Sequence, residues 1–405
     1  DTGRISYVDN NSLSNDLTLS VDQNIPFLGG TLSLQSSLSR LDQFNYDLQT
    51  YNTVPLILNY TQPIRAYNAL KWRKKTAPLQ YENAQRAYLE TMQDITINVT
   101  NLFFTVLSAQ ENYRQSVADY EDRKHLFEIA KKRLDLGTTT KSEVLQMELS
   151  LLNAKMSVNS TSLTLRTQLF SLFSYLRIVD YGDIELLPPY YMPEIEMNAE
   201  QVLDKAWTGS SHSIEQQLNL LESQRALAEA KANRGLQVEF RGRLGLSQSA
   251  NELPAAYRRL KDYETVGLTM TIPIYDWGMG RGKVRMAKTD VEITKTQIEQ
   301  ANIEFAHDVR TKVLQFNNQA EQCKTSLRAQ DIAAERYDIM KKRFENGSVT
   351  VTELNTAQEE FESAQHQYIS QLQQFWTDYY GIQKLTLYDF IRKENIGVNF
   401  NDLVN

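Results

Sequence analysis

Cysteine is nearly absent. Cys323 stands alone in 405 residues, which excludes an intrachain disulfide framework and any metal site built from several thiolates. Proline and glycine are scarce, at nine and sixteen, so few positions interrupt a long helix. No run of about 18 apolar residues occurs, which excludes a membrane-spanning helix, and the first residues lack the charged-then-apolar pattern of a signal peptide. His125, His212, His307 and His366 are scattered, with no two at metal-ligand spacing and no nucleophile–base arrangement beside them. Neither a metal, a cofactor nor enzymatic catalysis is therefore expected. A net charge of −7 gives no reason to expect nucleic acid as a partner. The glycines of "GMGRGK" from Gly278 fail the phosphate-loop pattern, because Val284 rather than Ser or Thr follows Lys283.

What is present is a phrase written twice. "KKRLDLGTTTKSEVL" opens at Lys131 and "KKRFENGSVTVTELN" at Lys341, an offset of 210. At that offset Gly137, Thr140, Glu143 and Ala154 face Gly347, Thr350, Glu353 and Ala364. Without a gap, Leu58, Pro63 and Ile64 likewise face Leu268, Pro273 and Ile274. The chain is a duplication of one long unit.

Each unit begins with period-two alternation, the mark of strands with one apolar and one polar face. In copy two, Leu236, Val238, Phe240, Leu244 and Leu246 alternate with polar residues, and so do Val266, Leu268, Met270, Ile272 and Ile274. The spacing predicts strands over 236–248 and 264–274, and in copy one over 30–41 and 54–64, four in all. A further strand-like stretch, Leu17–Val21 within 16–26, has no assigned place. The period then becomes helical: Val291, Ile298, Phe305, Phe316, Cys323 and Leu327 form a heptad-like seam, matched by Tyr88, Ile95, Leu102, Ala109, Phe127 and Leu134. An apolar fraction of 41% and a mean hydropathy of −0.47 suit helices that bury only a stripe.

Gly137 and Gly347 fall where a helix takes a left-handed C-terminal cap. Thr139 and Thr140, or Ser348 and Thr350, can cap the returning helix. The doubled phrase is thus read as the tip of a helical hairpin. The layout expected is repeat one over 1–180 with its hairpin at 65–178, a linker and helix over 181–235, repeat two over 236–388 with its hairpin at 275–388, and a tail at 389–405. A Pro-rich break, "LLPPYYMPEIEM", precedes one helix over 199–233. By the 210 offset, that helix's copy-one counterpart falls largely ahead of Asp1, so a helical segment is expected before this sequence. Pro78 has no counterpart, and a helix start or kink is expected at Thr76–Pro78.

Four alternating strands do not close on themselves, and in lipid an open sheet edge leaves unpaired backbone groups. Two copies would give eight strands with a filled lumen, and three would give twelve around an aqueous passage. Tyr60, Tyr67, Tyr275 and Trp277 lie beside the second strand of each unit, where an interfacial aromatic girdle would sit. Packing at a strand–helix junction is the plainer alternative.

The duplicated strand–loop–strand–hairpin unit, the tip phrase in both copies and "LTMTIPIYDWGMGRGKV" resemble the TolC-like outer-membrane efflux proteins over nearly the whole chain. That resemblance implies a mixed, mostly α fold: a trimeric twelve-stranded barrel in the outer membrane, continued by long coiled-coil helices as a periplasmic tunnel. It implies a passive exit duct of a tripartite efflux pump or type I secretion system, with a periplasmic adaptor and an inner-membrane transporter as partners. The duct would be gated at the periplasmic tip and opened by their docking. Gly137, Thr138, Thr139, Thr140, Gly347, Ser348, Val349 and Thr350 would form the docking tip, with Glu143 and Glu353 as acids at a constriction. Both acids also suit the first turn of a returning helix, where the dipole favours them. Phe344 and Val349 stand where some relatives carry polar latch partners, so closure would rest on apolar packing of Phe344 and Leu134. The basic cluster Lys71–Lys75, with Arg281, Lys283 and Arg285, would meet lipid headgroups or peptidoglycan, or else be a solvated face. The competing reading is a soluble coiled-coil scaffold with a small β cap.

Overall fold

Alternation of apolar and polar residues produces one antiparallel sheet in the order β1-β2-β3-β4-β5. The computed structural model describes residues 11–179, 182, 184–187, 189, 192–346, 348–400 and 402. The strands are β1 (Ser12–Ile25), β2 (Gly30–Gln43), β3 (Leu48–Arg65), β4 (Gln237–Ala250) and β5 (Lys261–Thr271). The expected four strands are therefore five. The unplaced stretch at 16–26 belongs to β1, which pairs along its whole length with β2. The loop expected over 42–53 shrinks to a 3-10 turn at Phe44–Tyr46 ahead of Asp47. β5 stops at Thr271 instead of 274, because Pro273 has no N–H to offer the ladder. Between β4 and β5 the short helix α5 (Leu253–Ala256) folds back, and the buried Thr53 hydroxyl donates to the Ala256 carbonyl at 2.5 Å.

The helices are α1 (Ala69–Asp135), α2 (Lys141–Tyr175), α3 (Ala199–Gly209), α4 (His212–Asn233), α6 (Met279–Glu345) and α7 (Val351–Thr386). Of the helix start or kink expected at Thr76–Pro78, the start is not found: α1 begins at Ala69 and includes Pro78. Asn68 sets the start at Ala69, its side-chain oxygen accepting from the Lys71 amide at 2.9 Å. Pro78 and Lys74, whose carbonyl the proline leaves without an intrahelical donor, are both exposed. Water can satisfy that carbonyl, which removes part of the usual penalty. The single helix expected over 199–233 is two. Glu90 of α1 caps the second from outside, accepting from the Ser211 amide at 2.7 Å and its hydroxyl at 2.9 Å.

The chain divides into two compact units that do not follow the two repeats. One comprises residues 1–83 and 214–301, the other 84–213 and 302–405, so each draws on both copies. The first holds the sheet. The second holds the packed core, in which Val202, Leu203 and Ala206 of α3 meet Val309, Val313 and Phe316 of α6 and Phe375, Tyr379 and Ile382 of α7. Asn317 fastens the strand-like approach to α3, bonding both the amide of Met197 at 3.0 Å and its carbonyl at 2.9 Å. A second cluster joins Phe104 and Leu107 of α1 to Cys323, Ile369 and Leu372. Cys323 is buried there, as a small apolar residue of the seam, and burial pushes its thiol up to about 11. The tail after α7 forms a two-stranded ladder of β6 (Tyr388–Asp389) and β7 (Glu394–Asn395).

Gly209 ends α3 directly against the backbone of α7, where a Cβ would run into the carbonyl oxygen of Thr386. Gly209→Ala should cost about 1–3 kcal/mol, as overpacking against backbone does. The expected readout is faster amide exchange in α3 and the end of α7, with the sheet unchanged. Unaltered protection of α3 would refute the close contact.

Candidate functional site

Two features of the structure carry functional meaning: the faces of the sheet and the tips of the helical hairpins. On one face of the sheet, Val21 lies opposite Leu34, Leu34 opposite Leu58 and Leu58 opposite Leu244, with Val266 and Leu268 of β5 continuing it. This apolar face is open: Val21 is 67% exposed, Leu244 57% and Val266 77%. Charge enters it near the β2–β3 and β4–β5 loops, where Arg40 pairs with Asp42 at 3.0 Å and Asp262 and Glu264 stand on β5. The opposite face is polar. Gln35, Ser37, Asn59, Thr61, Glu239, Arg241 and Arg243 line a concave groove there, and Arg241 pairs with Glu239. Among the described residues, the outer edges of β1 and β5 have no partner strand.

Aromatic residues gather where the strands give way to helices. Tyr60 donates to Gln62 at 2.7 Å and meets the Phe240 ring at 6.3 Å, while the Tyr67 hydroxyl accepts from Arg225 at 3.3 Å. Tyr275 and Trp277 pack edge to face at 4.7 Å and are 71% and 87% exposed. Trp277 has a φ of 54°, a left-handed conformation costly for a bulky residue. Asp276 holds this turn, accepting from the amides of Gly278 at 3.0 Å and Gly280 at 2.7 Å. Those bonds keep its carboxyl below the usual aspartate range.

At the tips the repeated phrase proves to be a set of capping instructions. Gly137 takes a φ of 71°, its amide bonding the Leu134 carbonyl and the Thr138 amide the Arg133 carbonyl, each at 2.9 Å. This is the Schellman arrangement, which needs glycine at the left-handed position. In copy two the Ser348 amide bonds the Arg343 carbonyl at 2.9 Å in the same way; Gly347 lies outside the described residues. Thr140 and Thr350 then cap α2 and α7, each closing a capping box with Glu143 or Glu353. Glu143 also accepts from the Thr139 hydroxyl, and Glu353 accepts from the Thr350 amide at 2.7 Å and hydroxyl at 2.8 Å. These bonds, with Arg133 and Arg343 nearby, hold both carboxyls below the ordinary glutamate range.

The two tips lie side by side within the helical unit. A groove of about 310 Å³ between them is lined by Leu126, Arg133, Thr139 and Glu143 from the first hairpin and Phe344, Val349 and Thr350 from the second. Leu134 packs instead on the cluster of Phe127, Val144 and Met147. Sequence reasoning missed the polar ties that join the hairpins. Lys341 donates to both oxygens of Asp122 at 2.8 and 2.7 Å, and the Tyr337 hydroxyl donates to the same carboxylate at 3.3 Å. Gln358 of α7 donates to Asp119 at 2.6 Å and accepts from Arg123 at 3.3 Å. Lys341 is the first residue of the doubled phrase. Its counterpart Lys131 pairs within its own helix, with Glu128 at 3.3 Å, and sits over the Phe127 ring. The 210 offset sets Asp122 opposite Ile332, so the repeat itself held no signal for this tie.

With this geometry in view, comparison with known proteins defines the class. The family model "Outer membrane efflux protein" matches residues 12–176 and 210–386, and the chain belongs to that family. Its general role is that of an outer-membrane channel for efflux, of the TolC-like kind. No curated protein sequence matches the chain. The fold is similar to that of the CmeC outer membrane channel of Campylobacter jejuni, with a TM-score of 0.66, 13% identity, and coverage of 97% of this chain and 80% of that one. It is also similar to the open state of the MtrE outer membrane channel of Neisseria gonorrhoeae, with values of 0.65, 13%, 93% and 80%. The outer membrane protein VceC of Vibrio cholerae gives 0.62, 13%, 93% and 86%. Among the described residues, no group of His, Cys, Asp or Glu is placed to hold a metal ion, and no helix is long and apolar enough to cross a membrane.

The capping boxes make the tips sensitive to acid. Because Glu143 and Glu353 titrate below their unfolded value, their contribution is complete above about pH 4.3 and fades as pH falls through the lower folded value. Amide protection at Thr140 and Thr350, taken relative to the intrinsic exchange rate at each pH, should therefore hold above the unfolded glutamate value and fall as pH drops below it. Glu143→Gln and Glu353→Gln should flatten that response, since glutamine also closes a capping box. Thr140→Ala should loosen α2 by about 1 kcal/mol. A tip whose amide protection ignores pH in the wild-type chain would refute the capping role.

Proposed function

We propose that three copies of the chain assemble into a passive duct, a barrel in the outer membrane leading to a helical tunnel in the periplasm. The observation that carries this reading is the open apolar face of a sheet with two unpartnered edges. In lipid each unpaired backbone group costs several kcal/mol, so sister chains must supply the missing pairing and close the cylinder. The polar opposite face, with Arg241 and Arg243, then lines the passage, and selectivity arises from its width and charge. Tyr275 and Trp277 anchor the barrel at the interface, as amphipathic rings do.

The hairpin tips form the periplasmic end, which docks an adaptor protein and, through it, an inner-membrane transporter of a tripartite pump or a type I secretion system. Docking opens the tip. Similar structures include an outer membrane channel in an open state, which supports a duct whose aperture changes. Glu143 and Glu353 would contribute six carboxylates around a threefold axis at the tip, a ring that attracts cations. Beside the apolar packing of Phe344 and Leu134 at the closed tip, Asp122–Lys341 would add a charged tie between hairpins.

Mass measurement in detergent tests the assembly. Three chains of 46.7 kDa should run as one particle that needs detergent to stay dispersed. A monomer or dimer released without detergent would favour a coiled-coil scaffold with a β cap instead. In planar bilayers, Glu143→Gln with Glu353→Gln should weaken block of single-channel current by multivalent cations. An unchanged blocking curve would remove the carboxylate ring.

A further inference from the structure

Positive charge gathers at one end of the sheet. β3 ends at Arg65, opposite Val238, and β5 ends at Thr271, opposite Gln237, so α1, α4 and α6 all meet the sheet at this end. Residues 48–81 hold five Lys or Arg and no Asp or Glu, and residues 277–289 hold four and none. In a chain with a net charge of −7 this is a local reversal of sign.

The duplication shows which property of these positions is kept. At the 210 offset Lys71 faces Arg281, Arg73 faces Lys283 and Lys75 faces Arg285, so each position exchanges lysine for arginine and retains only the charge. A bidentate or stacked contact does not tolerate that exchange, whereas a diffuse anionic surface does. All six side chains are exposed. None of them forms an ion pair among the described residues; those of the sheet unit include the pairs of Arg40, Arg225, Arg241 and Lys295. Arg281 acts on the Asp276 carboxylate through space, without such a contact. The helices gain nothing from these cations. α2, α3, α4 and α7 each carry a glutamate in the first turn, whereas α1 and α6 carry Lys71 and Arg281 there, against the helix dipole.

Apolar residues stand directly before the cations in both copies. Ile64 and Ile274, seven residues ahead of Lys71 and Arg281, are 62% and 93% exposed. Tyr275 and Trp277 follow Ile274, and Lys75 sits over the Trp72 ring at 5.0 Å. The turn between β1 and β2 adds the exposed Phe27, held at this end by Asn68, which donates to the Pro26 carbonyl at 3.3 Å. Apolar side chains, then aromatic rings, then cations is the order met on passing from acyl chains through the interface to headgroup phosphates.

We propose that these cations form a collar that binds the headgroup phosphates of anionic phospholipids, in the leaflet on the helical side of the barrel. The inference rests on the duct reading above and gives the duct a lipid partner, which fixes the depth at which sheet gives way to helix. Peptidoglycan is also anionic, but it would leave the exposed apolar flank beside the cations without a role.

Fluorescence quenching tests this with the full chain reconstituted in phosphatidylcholine vesicles. Brominated phosphatidylglycerol, titrated in, competes for the surface near Trp72 and Trp277 and reports its binding relative to phosphatidylcholine. A preference of about fivefold or more for phosphatidylglycerol is expected at low salt, falling towards parity as salt rises. Lys71→Gln, Arg73→Gln, Arg281→Gln and Lys283→Gln together should abolish the preference. Arg258→Gln with Lys261→Gln, at the opposite end of the sheet, should leave it unchanged. Should the fourfold variant fail to insert, the salt dependence of the wild-type chain decides the matter. Parity between the two lipids at low salt, in a chain that inserts and conducts, would overturn the collar and leave the duct intact. Parity together with cosedimentation on purified peptidoglycan that the fourfold variant loses would overturn it in favour of the cell wall. A chain that stays dispersed without detergent and does not insert would overturn both readings.

Discussion

Unpaired backbone at the two borders of the sheet is the constraint from which the rest of the molecule takes its sense. β1 and β5 each present a row of N–H and C=O groups with no partner strand among the described residues. Soluble proteins blunt such borders with charge, bulges or covering elements. Here the exposed face beside them is apolar instead, from Leu17 and Val21 across to Val266 and Leu268. An apolar face and open edges are each a liability in water. In lipid the first becomes favourable, and the proposed closure with other copies would resolve the second.

The helical unit solves a different problem, that of ending four long helices cleanly. The phrase encodes this locally: in copy one the Arg133 and Leu134 carbonyls receive the turn's amides and Gly137 supplies the left-handed residue, and in both copies threonine caps and glutamate completes the box. The same phrase nevertheless serves two different tertiary purposes. Lys341 reaches across to Asp122, while Lys131 stays with Glu128 on its own helix. Duplication fixed the caps twice, and divergence at a single facing position, aspartate at 122 against isoleucine at 332, made one hairpin the donor and the other the acceptor.

Much of the fold was legible in the residues because its determinants are periodic or local. The hairpin helices and both cap positions follow from heptad spacing and from Gly137, Thr140 and Thr350. The errors fall where a distant group decides. One exception is local: Asn68, accepting from the Lys71 amide three residues on, starts α1 ahead of Pro78. Glu90, over a hundred residues away in sequence, splits the expected 199–233 helix at Ser211. β1 had the alternation of a strand but no repeat partner, so only its ladder with β2 gave it a place. The capping residues of the tips follow from the repeated phrase, whereas Asp122, Asp119 and Gln358 carry no motif.

The sequence by itself determined the duplication, the two-faced strands, the helical seam and the capping of each tip, because each depends on residues within a few positions of one another or on a strict period. Tertiary structure alone decided that the sheet has five strands, that each compact unit draws on both repeats, and that the hairpins are tied by charge through Lys341 and Asp122. Those outcomes depend on which backbone edge and which side chain come to lie opposite one another after folding, and that facing relationship is not written in any single stretch of the chain.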